Sequence, residues 1–212
     1  PGLGSILVTT LRERGFPMVL IGLSGENPSV SSCDIDNLHA AGLAMREFAE
    51  AGHRRIALCQ GPEGLEPTEL RRAAYLAALS EAGMPIDGDL ISPLTADRAP
   101  VALWVRSMFT DLPAERRPTA ILCFNDTHAS YVLDALVEFG LRVPHDVSLI
   151  GFDNAGSAHF NPPLTTIGQP YREIGICAVK SLLAQIAGEQ NAPRRLLLQG
   201  ELIRRNSVAP PR

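Results

Sequence analysis

The chain has 212 residues, with 19 Lys and Arg against 23 Asp and Glu, a formal net charge of −4, and 45% hydrophobic and 20% charged residues. That size can bury a real core as one large domain or two small lobes, and the composition is ordinary for a globular protein. The acidic balance argues against a surface that grips nucleic acid, and no apolar run approaches the ~20 residues needed to cross a bilayer. No secretory leader is visible, but the chain begins at Pro1 rather than Met, so further upstream sequence is expected. Cys33, Cys59, Cys123 and Cys177 show neither metal spacing nor a disulfide framework, and read as buried free thiols of a reducing compartment.

In chain order, residues 3–14 read as a helix stopped at Gly15, 17–22 as a buried strand and 31–36 as a second short strand. Residues 38–51 are expected to be a helix, with Leu38, Ala41, Met45, Phe48 and Ala49 at helical spacing and Gly52 as its stop. A strand follows at 56–60, a loop at 63–68 and a helix at 69–82 closed by Gly83. Residues 90–92 suggest a short strand and 100–109 a helix. The apolar run 120–124 is a strand leading into a helix at 127–139, and 147–151 is the next strand. Ile174, Ala178, Leu182 and Ile186 define one face of another helix. After a break at 187–193, residues 195–199 and 201–205 read as closing strands. This alternation predicts an α/β fold of parallel sheets with crossover helices.

Several polar groups stand where strands end. In an open α/β sheet, ligands bind beyond the carboxyl ends of the strands. The runs ending in Asn125-Asp126 and Asp153-Asn154 therefore mark two corners of one candidate site. At Asn125-Asp126, one side chain caps the following helix and the other faces a ligand. Asp36-Asn37 allows the same division between a helix cap and a ligand-facing carboxylate. Arg71 and Arg72 stand near the start of a helix; one guanidinium turned inward would hold paired hydroxyls or a carboxylate, and periodicity alone does not choose between them. His53 follows a helix stop and reads as part of a charged turn, while His128 and His145 lack any partner pattern and read as surface residues. The stretch 22–26 lacks the second glycine of a nucleophile elbow, and there is no HExxH, phosphate-binding loop or CxxC. Nothing points to catalysis, a metal or a cofactor.

Seven strings, in order, carry a resemblance: DIDNLHAAG at 34–42, GHRRIALCQGP at 52–62, RRAAYLAAL at 71–79, PTAILCFNDTHA at 118–129, GLRVPHDVSLIGFDN at 140–154, PPLTTIGQP at 162–170 and ELIRRNSV at 201–208. Together they resemble the effector-binding domain of LacI/GalR-type transcriptional regulators over nearly the whole chain. The resemblance implies a two-lobed, hinged, periplasmic-binding-protein-like type I fold, with a small sugar or nucleobase bound between the lobes. It places residues 1–51 and 169–197 in the first lobe, and 52–168 and 198–212 in the second. The first lobe would lack its N-terminal strands and leave an unpaired apolar edge. The implied ligand contacts are Asp36, Arg71, Asn125, Asp153 and Gln169, with Tyr171 as an aromatic wall. Arg71 is selected over Arg72 because the family's Arg stands four residues before an aromatic, here Tyr75. Ala74 replaces a usual glycine, and TADRAP at 95–100 replaces a stretch that often holds an aromatic over the ligand, with Trp104 further along. The resemblance further implies a cytoplasmic homodimer that reaches operator DNA through a helix-turn-helix absent from this sequence. A periplasmic solute-binding protein feeding a transporter is the second reading, and an enzyme on a doubly wound sheet the third.

Overall fold

The computed structural model describes residues 3–22, 28–189 and 192–212; the turn at 22–26 and the break at 187–193 lie partly outside them. By contacts the chain divides into a smaller unit, 1–36 with 170–199, and a larger unit, 37–169 with 200–212.

The smaller unit contains helix α1 (Leu3–Glu13), strands β1 (Val19–Ile21) and β2 (Ser31–Ile35), helix α6 (Tyr171–Ile186) and strand β7 (Arg195–Leu198). Its strands form a parallel sheet in the order β1-β2-β7. Only β2 is fully buried. The sequence suggests a buried β1, but β1 is half-buried and Ile21 is 54% exposed, because β2 is its only strand neighbour among the described residues. Cys33, Ile174 and Ala178 form a small core where α6 meets β2. Along α6, Ile176, Val179, Leu183 and Ile186 recur at spacings of three and four and are all exposed, so Ile186 is not on the buried face expected for it.

The larger unit contains helix α2 (Asn37–Glu50), β3 (Ile56–Cys59), α3 (Glu66–Glu81), α4 (Arg98–Thr110), β4 (Ala120–Cys123), α5 (Asp126–Glu138), β5 (Ser148–Asp153), β6 (Thr165–Gly168) and β8 (Glu201–Ile203). The sheet order is β3-β4-β5-β6-β8, parallel except for the β6–β8 pair. Its four parallel strands are buried along almost their whole length, as expected of a sheet covered on both faces. Ala57, Cys59, Ile121, Cys123 and Leu149 pack with Trp104 and Val105 of α4 and Val132 and Leu136 of α5. Trp104 is therefore a core residue, its indole N–H donating to the Asp89 carbonyl at 3.2 Å. The alternate strand positions face the opposite layer, where α2 packs on α3 and Tyr75 donates its hydroxyl to the Ile56 carbonyl at 2.8 Å.

Helix α2 belongs to the larger unit, whereas the family resemblance implies that residues 37–51 lie in the first lobe. Its buried face, including Met45 and Phe48, meets α3, β4, β6 and β8. Helix α3 begins at Glu66, inside the expected loop, because Pro67 in its first turn fixes a helical φ. The strand expected at 90–92 is instead a 3-10 turn at Gly88–Leu90 followed by a single bridge from Ile91 to Leu58.

His53 is buried rather than part of a charged turn. Its ring nitrogens meet Thr119 Oγ1 at 2.8 Å and Ser148 Oγ at 3.0 Å, tying the approach to β3 to strands β4 and β5. Cys33, Cys59 and Cys123 are buried and Cys177 is half-buried, and none is joined in a disulfide.

Candidate functional site

The polar side chains of the larger unit gather at the carboxyl ends of β4, β5 and β6. Asn125 follows β4 and caps α5, its Oδ1 accepting the His128 backbone N–H at 2.9 Å. Asp126 does not face a ligand, as the division expected at this pair would have it; its role is structural. It is buried, accepts the Thr166 hydroxyl at 2.7 Å and the Ala155 N–H at 2.7 Å, and so crosses over β5 to reach β6. Gly151 permits that crossing. A Cβ there would overlap Asp126 Oδ1 and lie 2.8 Å from Leu164 Cδ2.

Asp153 ends β5 with φ at +103°, in the region that disfavours residues with a side chain. Backbone held in such a conformation clusters at ligand sites, where surrounding structure over-determines it. Its register partner is Gly168 on β6, and Gln169 beyond that strand donates from Nε2 to Asp153 Oδ1 at 2.6 Å.

Arg71 is the inward-facing arginine, 6% exposed, whereas Arg72 is exposed. Its Nε donates to Asn37 Oδ1 at 2.9 Å and its Nη1 to the Phe124 carbonyl. The guanidinium carbon lies 3.5 Å from the Phe152 ring centroid and 4.7 Å from that of Phe124. Hydrogen bonds to Asn37 and Phe124 and two cation–π contacts thus fix a long cationic side chain. The Phe124 ring fits because residue 61 is glycine; a Cβ there would lie 2.6–2.7 Å from three ring carbons.

His128, read from sequence as a surface residue, is 4% exposed and part of this cluster. Its Nδ1 meets Asn125 Oδ1 at 2.7 Å and its Nε2 meets the Thr95 carbonyl at 2.9 Å, with the ring edge-on to Phe124. Burial pushes its pKa below the usual 6.5; the Thr95 carbonyl pulls it up, Arg71 down and Asp153 up. The surface reading failed because a lone histidine has no periodic signal. Its place three residues after the Asn125 cap was the available clue, since that spacing brings a side chain back over the cap.

The structure brings Arg71, Asn125, Asp153 and Gln169 together in the larger unit, along with Asn37, Phe124, His128 and Phe152, which were not among the expected contacts. Asp36 and Tyr171 lie in the smaller unit. Asp36 follows β2, half-buried, with its backbone N–H donating to the Leu198 carbonyl at 2.8 Å. Tyr171 opens α6 and is 56% exposed. Among the described residues no group of three His, Cys, Asp or Glu side chains could hold a metal ion, and no helix is long and apolar enough to cross a membrane.

Residues 45–208 match the family described as the periplasmic binding protein-like domain. The HTH-type transcriptional repressor PurR of Aliivibrio salmonicida is 36% identical over 205 residues, which is 96% of this chain and 60% of that protein. The chain thus spans about 60% of the length of this curated relative. A regulatory protein of the LacI family from Chloroflexus aggregans superposes with a TM-score of 0.85 at 33% identity, covering 95% of this chain and 72% of that one. The transcriptional regulator CelR in complex with cellobiose superposes with a TM-score of 0.84 at 32% identity, covering 95% and 62%. The ordered motifs, the α/β units and these likenesses agree: this chain belongs to the LacI family of transcriptional regulators, as its periplasmic-binding-protein-like domain.

Proposed function

We propose that this chain is the effector-sensing part of a transcriptional repressor and binds a small polar metabolite, a sugar or a nucleobase. One observation carries the reading: Arg71, Asn125, Asp153 and Gln169 collect at the carboxyl ends of adjacent parallel strands, where open α/β sheets take ligands. Asp153 accepts hydrogen bonds from hydroxyl or ring N–H groups, while Arg71 donates to hydroxyl, carbonyl or carboxylate oxygens. Asp36, Gln169 and Tyr171 are carried over from the family as the remaining contacts. Effector binding would alter the equilibrium between open and closed lobes by its differential affinity for the two states. The repressor reading also implies a homodimer in the cytoplasm, with operator DNA held by a separate helix-turn-helix. The cellobiose complex of CelR supports a carbohydrate-sized ligand.

Calorimetry tests the reading, with a panel of mono- and disaccharides, cellobiose included, and purine bases. At least one class should bind, and Arg71→Ala or Asp153→Ala should weaken it by about ten- to a hundredfold, the loss of one charge-assisted hydrogen bond of ~1.5–3 kcal/mol. No binding across the panel, or unchanged affinity in both folded variants, would overturn it.

A further inference from the structure

His128 is built into the ligand corner in a way its neutral form does not satisfy. Both ring nitrogens face acceptors: Nδ1 meets Asn125 Oδ1 at 2.7 Å and Nε2 meets the Thr95 carbonyl oxygen at 2.9 Å. The amide of Asn125 cannot be reversed to supply a donor. The same Oδ1 accepts the His128 backbone N–H at 2.9 Å, and turning the amide would set NH2 against N–H. A neutral imidazole has one N–H and one lone pair, so one of its two contacts opposes lone pair to lone pair. The imidazolium has two N–H groups and satisfies both.

The contacts form a closed circuit. Gly61 accepts the Thr95 N–H at 3.1 Å and leaves room for the Phe124 ring; the Thr95 carbonyl meets His128; His128 meets Asn125; and Asn125 directly follows Phe124. Loop 91–97 is thus fastened to the start of α5 through one imidazole. The charged groups acting on the ring are Arg71 of α3 and Asp153 of β5. Tyr131 of α5 faces it at 5.9 Å between ring centroids, and Asp97 and Arg98, which follow Thr95, are exposed, with Arg98 paired to Asp134 at 3.0 Å. Asp126, on the same turn of α5, is already bonded to Thr166 and Ala155.

We propose that His128 is a positioning residue of the effector corner: when protonated it clamps Thr95 and Asn125 together with the Asn125 amide nitrogen turned away from the ring, and when neutral it holds only one of them. Its relevance to effector binding rests on the reading of this corner as part of the ligand site. The orientation of Asn125, and with it the donors offered to a ligand, then follows the proton on His128.

The test is ligand-free. The 15N- and 13C-labelled chain is titrated by NMR from about pH 8 to about pH 5, the range in which histidine changes charge. Both His128 ring nitrogens should become protonated, and the Asn125 side-chain NH2 and Thr95 carbonyl signals should shift with the same midpoint. In His128→Gln, which can donate but does not titrate, those two shifts should be lost. Asn125 and Thr95 signals that ignore the His128 midpoint, or that keep the same midpoint in His128→Gln, would overturn the proposal. If His128→Gln fails to fold, the midpoints in the unsubstituted chain decide alone. Shared midpoints in a protein that binds no sugar or nucleobase would leave the positioning role standing and remove only the effector reading.

Discussion

The two units of this chain are built from the same parts and packed to different degrees. In the larger, four parallel strands lie between two helical layers, and even its polar groups are tied across strands: His53 to Thr119 and Ser148, Asp126 to Thr166. Among the described residues of the smaller, three strands carry a core of a few side chains, and Ile21, Leu197 and the α6 stripe are exposed. The difference shows where polar side chains are held most firmly. Arg71, Asn125, Asp153 and Gln169 stand on a frame that a complete core holds in place. Asp36 and Tyr171 stand on a frame whose described residues bury few apolar side chains.

Glycine-to-alanine substitutions at one packed site of the larger unit and one open site of the smaller should have the largest effects, of opposite sign. Gly151→Ala should destabilise the larger unit by on the order of 3 kcal/mol, since the added methyl strikes Asp126 and Leu164 and breaks a buried carboxylate network. Gly175→Ala in α6 meets nothing within 4 Å and should stabilise that helix by about 0.5–1 kcal/mol, the usual gain over glycine in a helix interior. Urea unfolding followed by circular dichroism measures both. Equal effects would mean that the smaller unit is packed as tightly as the larger.

Acid should separate the units next. His53 belongs to the larger unit; the Thr119 and Ser148 hydroxyls satisfy its neutral ring, and burial pushes it below the ordinary 6.5. A lowered pKa in the folded state means that the unfolded chain takes up protons first. The associated stability is therefore present above the unfolded value and is lost as pH falls below it. The smaller unit has no histidine. Urea midpoints should fall between neutral pH and about pH 5, with NMR signals of β4 and β5 reporting the loss. A midpoint that rises on acidification would contradict the burial of this ring.

The smallest effect is expected on α6. Val179→Glu and Leu183→Glu place charge on side chains already 56% and 58% exposed, so stability should change by no more than about 0.5 kcal/mol. Binding of a hydrophobic dye should drop. A large stability loss would show that the stripe is packed in solution.

Much of the frame could be read from the sequence because buried parallel strands are continuous apolar runs and helices carry periodic faces. The turn glycines and the strand-end Asn125 and Asp153 were readable for the same reason. Strand β6 was not anticipated: Leu164-Thr165-Thr166-Ile167 has strand composition, but prolines on either side mask its length. The place of α2 was misread because an amphipathic helix shows that it packs, not what it packs on. The roles of Phe124, Phe152 and His128 depend on contacts between separate strands and loops, and local periodicity carries no record of those.

Hydrogen exchange on the intact chain tests most directly whether the larger unit is the more firmly packed frame, the one that holds Arg71, Asn125 and Asp153. Amides of β4, β5 and the capped first turn of α5 should exchange only through global unfolding, while those of β1 and β7 exchange through much cheaper local openings. Equal protection of β1, β7, β4 and the Asn125 cap would contradict it.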